Sequence, residues 1–256
     1  MLREQLIKRH IGEAEDFRWR GQEVSRLEGF TDAVFAFVIT LLVISTEVPK
    51  NFNDLVAAFS FSSVGSFAIC FIFLVGLWHS HYVFFRRYGL EDGPIFILNT
   101  VFLFIVALYV YPLKFVFTWL LNGVPMAPVG AAITDATPIR VDQVGPLMVI
   151  YSLGIVFLYL TNMGFYLRAF HLRRELGLTD VEIHDTITSI GPSCIVIGVG
   201  TLSILIALLG GPNGASLAGI VYLLILPLTI IYRANRNRER RHLELTQNPA
   251  AAAPAS

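Results

Sequence analysis

Two ionisable residues, an aromatic residue and a hydroxyl residue stand at the head of the first long apolar run. Arg26, Phe30, Thr31 and Asp32 lead into residues 33–44, which are almost all apolar. These side chains can hydrogen-bond and interact through charge, but an ionisable residue at a helix start in lipid is costly and is usually there for function. We therefore expect these four residues to have a functional role at the start of a membrane helix.

The composition indicates a membrane protein. Hydrophobic residues make up 55% of the 256-residue chain and charged residues only 15%, and the mean hydropathy is +0.64. These values lie far from those of soluble domains. The 19 basic residues balance the 19 acidic residues, so the charge gives no reason to expect a nucleic-acid partner. Cys70 and Cys194 lie in apolar runs, and we expect both to be reduced and structural.

Six stretches are long and apolar enough to cross a bilayer, which takes about 20 residues at a rise of about 1.5 Å each. They cover residues 27–48, 55–84, 95–121, 147–170, 187–209 and 217–232, separated by polar or Gly- and Pro-rich segments. Residues 210–214 are expected to form a tight turn before the last stretch. Because every backbone group must be paired within lipid, the stretches are predicted to be helices. The fold class is therefore an all-α, polytopic membrane bundle.

The basic residues predict the orientation. Of the 19 Lys and Arg residues, only Lys50, Lys114 and Arg140 fall on one side of the six spans. Positive residues stay in the cytoplasm, so both termini are expected there. The organisation that follows is a cytoplasmic segment at residues 1–26, a transmembrane domain at residues 27–232, and a basic and then disordered cytoplasmic tail at residues 233–256.

The first span carries two candidate faces when it is projected at about 100° per residue. One stripe follows a four, three, four spacing, with Arg26 on the same side, and another face lies beside it. One face could meet a symmetry axis while the other packs into its own subunit. Judged by its spacing alone, the stripe is better explained by ordinary helix packing than by a pore. The stripe is Ala33, Phe37, Thr40 and Ile44, and the other face is Asp32, Ala36, Ile39 and Val43.

The pattern Arg26-x-x-x-Phe30-Thr31-Asp32, followed by the apolar residues 33–43, resembles a known family signature. It is similar to the opening of the pore helix in the endosomal and lysosomal potassium channel family, transmembrane protein 175, most of all in its prokaryotic six-helix branch. The resemblance implies that the first helix of each subunit lines a central pore. It also implies a narrowest point five residues after the Asp, and a Thr near the ion path three residues later.

Carried onto this chain, the resemblance assigns the constriction to Phe37, a hydroxyl ring to Thr40 and a second apolar ring to Ile44. Phe37 departs from the Ile or Leu usual in the family. Thr31 replaces the usual Ser while keeping a hydroxyl that could cap the helix start or contact a neighbour. An apolar waist selects ions because it forces partial dehydration, which potassium tolerates better than sodium. We therefore expect modest selectivity for potassium over sodium.

A second motif could brace the pore helix. Trp78, His81 and Phe84 form Trp-x-x-His-x-x-Phe, which resembles the second-helix motif of the family, and Asn99 resembles a family Asn. The resemblance implies a hydrogen-bonded cluster of Arg26, Asp32, Trp78, His81 and Asn99. Without it, Trp78 as an interfacial aromatic and His81 as a solvated headgroup residue are equally good interpretations.

The functional prediction is a potassium-permeable cation leak channel in the plasma membrane. The chain has one pore-type helix and no repeat, so several subunits must surround the axis, and the resemblance implies a homotetramer. Potassium ions and membrane lipid are the expected partners, with no cofactor and no metal. A secondary transporter is the alternative, because Gly191-Pro192 could break the fifth helix. An enzyme is not expected, since the chain has no Gly-x-Ser-x-Gly and no His-Glu-x-x-His.

Overall fold

The computed structural model describes residues 17–21, 23–45, 49–121 and 141–247. Over these ranges every regular element is helical and none is a strand. The helices are α1 (Arg26–Ile44), α2 (Phe52–Ala58), α3 (Phe61–Tyr88), α4 (Gly93–Leu121), α5 (Val141–His171), α6 (Asp180–Leu209), α7 (Gly211–Ile220) and α8 (Ile225–Gln247), with a 3₁₀ turn (Val221–Leu224) between the last two.

Six segments of this structure are long and apolar enough to cross a membrane. Five of them are α1, α3, α4, α5 and α6, and the sixth combines part of α7 with the 3₁₀ turn and α8. The predicted all-α architecture with six spans is therefore confirmed. The expected second span at 55–84 is instead two helices, because Ser60 caps a new helix by accepting from the Ser63 N–H at 3.3 Å.

One predicted interruption is wrong, because helix α6 continues through Gly191 and Pro192 without a break. A break within lipid would leave backbone groups unpaired, so a continuous helix is favoured wherever the neighbours allow one. The observation that supported a transporter is therefore absent from the fold.

The chain does reverse direction at Gly210. Helix α7 begins at Gly211 and packs back on α6, where Ser203 donates to the Ala218 carbonyl at 2.9 Å. The turn is shorter than the expected segment 210–214.

The predicted limit between the transmembrane domain and the tail, at residue 232, does not coincide with the end of a helix. Helix α8 continues past residue 233 to Gln247, and the arginines of the predicted tail lie on it. Arg236 donates to Thr188 at 2.9 Å, and Arg240 pairs with Asp185 at 3.1 Å, which docks this extension against α6. Residues 1–16 and 248–256 lie outside the described residues.

The principal core lies between α1, α3, α4 and α5. Helix α4 contacts all three other helices, and α6 packs along α5 and carries α7 and α8 on its outer side. Phe84, Phe102 and Phe165 form an aromatic centre whose rings lie 5.1 to 6.0 Å apart where they meet. Helix α3 ends at Gly89, whose φ of 59° is a left-handed C-terminal cap.

Three contacts place several helix ends at one end of the bundle. Arg86 contacts Gly21, Arg20 contacts Glu182, and Arg168 contacts Asp92. We call this the basic end, formed by residues 17–21, 23–26, 86–92 and 168–182. It contains the start of α1, the end of α3 and the start of α6.

Candidate ion pathway and its supporting contacts

Helix α1 packs into its own subunit through one stripe. Ser25 caps the helix by accepting from the Glu28 N–H at 3.0 Å. Of the two roles considered for Thr31, a cap or a contact with a neighbour, the structure shows the contact, because Thr31 lies inside the helix against Asn99. The buried residues follow a three, four, three, four spacing, which places them on one face at about 100° per residue. They are Glu28, Thr31, Phe35, Val38 and Leu42.

The predicted pore stripe lies on the opposite side of α1. Phe37 is 60% exposed and Ile44 is 66% exposed, and Ala33 and Thr40 are exposed as well. These side chains are therefore free to face other copies of the chain or lipid. Because exposure in a single subunit is compatible with a pore and with lipid, the assignment of these residues to a pore stays a prediction.

The expectation that the second face packs into the subunit is wrong. Asp32, Ala36 and Val43 are exposed, and only Ile39 is half-buried. The packing stripe lies about 90° further round the helix. The error arises because both stripes repeat at helical spacing, and burial depends on the neighbouring helices.

Thr40 presents an oxygen at the exposed surface. Its hydroxyl donates to the Ala36 carbonyl at 2.9 Å, one turn earlier in α1. This satisfies the donor within the helix and leaves the hydroxyl oxygen with acceptor capacity. A ring of such oxygens is suited to contact a partly dehydrated cation.

A buried network joins α1 to α3 and α4. Asn99 Nδ2 donates to Thr31 Oγ1 at 2.9 Å, and His81 Nε2 lies 2.7 Å from Asn99 Oδ1. Asn99 and Thr31 have no exposed surface, and His81 is buried. Since the carboxamide oxygen accepts, the arrangement corresponds to the His81 tautomer that carries its proton on Nε2. The structure thus brings together three of the residues predicted from sequence.

A second contact joins α1 to α3. Trp78 Nε1 donates to Asp32 Oδ1 at 2.7 Å, and Tyr82 stacks on Trp78 with centroids 5.8 Å apart. A hydrogen bond to an ionised carboxylate is stronger than one between neutral groups. Arg26 and Phe30 stay outside this cluster, since both side chains are exposed and neither takes part in these hydrogen bonds.

The main ion pair of α1 was missed from sequence. Arg86 at the end of α3 donates to both carboxylate oxygens of Glu28, at 2.6 and 2.7 Å through Nη2 and at 3.1 Å through Nε. Both residues are buried. Removing one partner of such a pair costs about 3–5 kcal/mol because a buried charge is left unpaired. The signal was available, since Glu28 extends the stripe of Thr31 and Phe35.

A matching ion pair lies at the start of α6. Arg20 donates to Glu182 at 2.7 Å, and Glu182 is buried. Glu182 also completes a capping box with Thr179, the N-cap residue that precedes α6. Nothing in the spacing of these residues links positions 162 residues apart in sequence.

Taken together, the fold and this cluster define a polytopic α-helical membrane protein. Its amino-terminal span carries polar residues tied to the second and third spans. The described residues contain no group of three or more His, Cys, Asp or Glu side chains suited to hold a metal ion.

Comparison with known proteins assigns the family. Residues 26–109 match the family described as "Endosomal/lysosomal potassium channel TMEM175". A potassium channel from Marivirga tractuosa is 36% identical over 240 residues, covering 91% of this chain and 96% of the relative. A potassium channel from Chamaesiphon minutus is 29% identical over 117 residues, covering 43% of this chain and 57% of the relative.

A solved structure agrees with the sequence relatives. The crystal structure of a threonine-to-alanine variant of the potassium channel MtTMEM175, bound to a nanobody fusion protein, superposes with a TM-score of 0.74. It is 34% identical and covers 89% of this chain and 100% of its own. The chain therefore belongs to the TMEM175 family.

Proposed function

We propose that this protein is a potassium-permeable cation leak channel. The observation that carries the proposal is the exposed stripe of Phe37 and Thr40 on a span otherwise anchored by polar contacts. The relatives that cover most of the chain are named potassium channels. Many secondary transporters bind their substrate at broken helices near mid-depth, whereas α6 is continuous through Gly191 and Pro192.

The proposed assembly is a homotetramer. One chain supplies one span of this type, and several copies related by rotation are required to enclose a path. In the proposed arrangement the buried stripe of α1 holds each subunit together, and the opposite stripe faces the shared axis. Phe37, Thr40 and Ile44 then form successive rings from the four subunits.

Selection in this pore works by partial dehydration. Phe37 from the four subunits forms an apolar constriction at which a cation loses part of its water. The free energy of this dehydration is higher for sodium than for potassium. Thr40 lies about one turn further along α1 and offers an oxygen to the stripped ion. Because no acidic ring or carbonyl filter is required, the predicted preference for potassium over sodium is modest.

The proposed location is the plasma membrane, with both termini in the cytoplasm. Arg86, Arg87 and Arg168 lie at the basic end, and the arginines of α8 project near the same end through the contacts of Arg236 and Arg240 with α6. Basic residues close to membrane spans remain on the cytoplasmic side. The basic end therefore faces the cytoplasm in this arrangement.

The test is electrical recording of the purified protein in lipid with potassium on one side and sodium on the other. Unitary currents with a reversal potential favouring potassium are expected for the wild type. Phe37→Ala and Thr40→Ala should both shift that reversal potential towards zero, whereas Val101→Ala, an exposed residue of α4, should leave it unchanged. Saturating, coupled flux without unitary currents would overturn the proposal, as would wild-type permeation in both pore variants.

A further inference from the structure

The residues just before α1 are folded into the bundle. Residues 17–21, which we call the strap, cross from the start of α6 to the end of α3. Phe17 is buried, with Arg87 4.7 Å above its ring and Tyr88 at its edge, 5.6 Å between centroids. This extended segment therefore has a fixed place at the basic end.

One end of the strap is held by Glu182 of α6. Arg20 donates to both carboxylate oxygens of Glu182, at 2.9 and 2.7 Å, and the Arg18 N–H donates to Glu182 Oε1 at 2.9 Å. Arg20 Nε also donates to the Leu176 carbonyl at 2.9 Å. The buried Glu182 carboxylate thus accepts hydrogen bonds from both the main chain and a side chain of the strap.

The other end of the strap is held by Arg86 of α3. The N–H groups of Arg20 and Gly21 both donate to the Arg86 carbonyl at 3.1 Å, and Arg86 Nη1 donates to the Gly21 carbonyl at 2.9 Å. A side chain at Gly21 would overlap the Phe85 carbonyl, so this close approach requires glycine.

Arg86 connects the strap to α1. The same guanidinium that donates to Gly21 also binds the Glu28 carboxylate through Nε and Nη2. Two ion pairs therefore stand in series, the half-buried pair of Arg20 with Glu182 and the buried pair of Arg86 with Glu28. The strap connects them. The series ends on the packing face of α1, one turn before Thr31.

We propose that Glu28 and Arg86 are positioning residues for the ion pathway, and that the strap couples their position to α6. The planar guanidinium binds the carboxylate in a fixed orientation. Together with the Thr31 contact, it sets how far α1 is rotated about its axis. That rotation determines where Phe37 points, about 14 Å further along the helix.

This inference rests on the proposed function, since it assigns a role in orienting the proposed pore stripe. A rotation of α1 changes the width of a waist formed by Phe37 from every subunit at once. The pair therefore controls ion selection without touching the ion. Its loss should alter the permeability ratio, and not only stability.

The experiment compares Glu28→Asp and Arg86→Lys with the control Glu23→Gln, whose side chain is exposed ahead of α1. The two pair variants keep the charges of Glu28 and Arg86, so we expect them to fold. Asp has a shorter side chain than Glu, and Lys lacks the planar guanidinium that binds both carboxylate oxygens. We expect each to lower the potassium-to-sodium permeability ratio by about threefold, with the Glu23 variant matching wild type. The single variants Glu28→Gln and Arg86→Gln and their double variant complete a cycle, in which the losses should be non-additive because both changes remove the same interaction.

The strap is tested by Glu182→Gln and Arg20→Lys in the same recordings. Both should move the permeability ratio in the same direction as Glu28→Asp, by a smaller factor. Variants that melt at lower temperature yet retain the wild-type permeability ratio and unit conductance would overturn the inference and leave the pairs as stabilising contacts alone. A wild-type protein without potassium current would instead overturn the proposed function, and the inference with it.

Discussion

Trp78 and Asp32 are joined by a 2.7 Å hydrogen bond between α3 and α1, from the indole nitrogen to a carboxylate oxygen. Asp32 is exposed and lies next to Thr31, which binds Asn99 on the neighbouring face. Consecutive residues of α1 therefore contact different helices. The start of α1 is fixed against both translation and rotation.

Replacing Trp78 with Phe should weaken this attachment. The ring is retained while the donor to Asp32 is lost, so the expected loss of stability is about 1–3 kcal/mol, typical of a hydrogen bond to a charged group. Thermal unfolding in detergent measures the loss. Tyr82→Phe is the matched control, because the Tyr82 ring stacks on Trp78 and meets Trp19 edge to face, and both contacts are kept by Phe. Equal melting temperatures for the two variants would contradict this role for Trp78.

Replacing Asn99 with Leu should be more damaging. The change leaves the His81 Nε2 group buried without its partner and removes a donor to Thr31, at an expected cost of about 2–4 kcal/mol. Melting temperature and yield of folded protein are the measurements.

The neighbouring residue provides the control for Asn99. Thr100 is exposed, and its hydroxyl donates to the Phe96 carbonyl of its own helix. Thr100→Val should therefore change stability by about 0.5 kcal/mol or less. If Asn99→Leu were tolerated as well as Thr100→Val, the buried network would not hold α1 in place.

Much of the fold follows from sequence, because lipid leaves few alternatives. Long apolar runs must be helices when backbone groups cannot bond to water, so the six spans were predictable. The same constraint explains why Gly191-Pro192 failed as a predicted break. Small residues permit a bend, but they do not require one when the surrounding helices support a continuous segment.

The orientation of α1 was harder to predict. The stripe of Phe35, Val38 and Leu42 and the stripe of Phe37 and Ile44 have similar apolar character and similar spacing. Only packing against α3 and α4 decides which one is buried. The Trp78 and Asn99 contacts could be anticipated through a family motif, whereas the partners of Glu28 and Glu182 lie far away in sequence without a local pattern.

Replacing Gly154 or Gly198 with Ala should change the stability of the protein in opposite directions. Gly154 lies against the Tyr109 ring, its N–H donates to the Tyr109 hydroxyl at 3.1 Å, and an added methyl would overlap the ring. Gly154→Ala should destabilise the protein by about 1–3 kcal/mol through overpacking. Gly198→Ala meets no atom within 4 Å and should stabilise α6 by about 0.5–1 kcal/mol.

These two alanine variants are compared by thermal unfolding under the same conditions. The expected result is a lower melting temperature for Gly154→Ala and an equal or higher one for Gly198→Ala. Equal shifts in the same direction would show that helix propensity, and not the approach of Tyr109, dominates at Gly154.

The most direct test of the central claim is the accessibility of single cysteines during current recording. In a background with Cys70→Ala and Cys194→Ala, Thr40→Cys places a thiol on the exposed stripe of α1, and Val38→Cys places one on the packing stripe, where the native side chain has no exposed surface. A water-soluble cationic thiol reagent should reduce potassium current through Thr40→Cys and leave Val38→Cys and Val101→Cys unaffected. Undiminished current through Thr40→Cys after verified modification of its thiol would contradict an ion path along this face of α1.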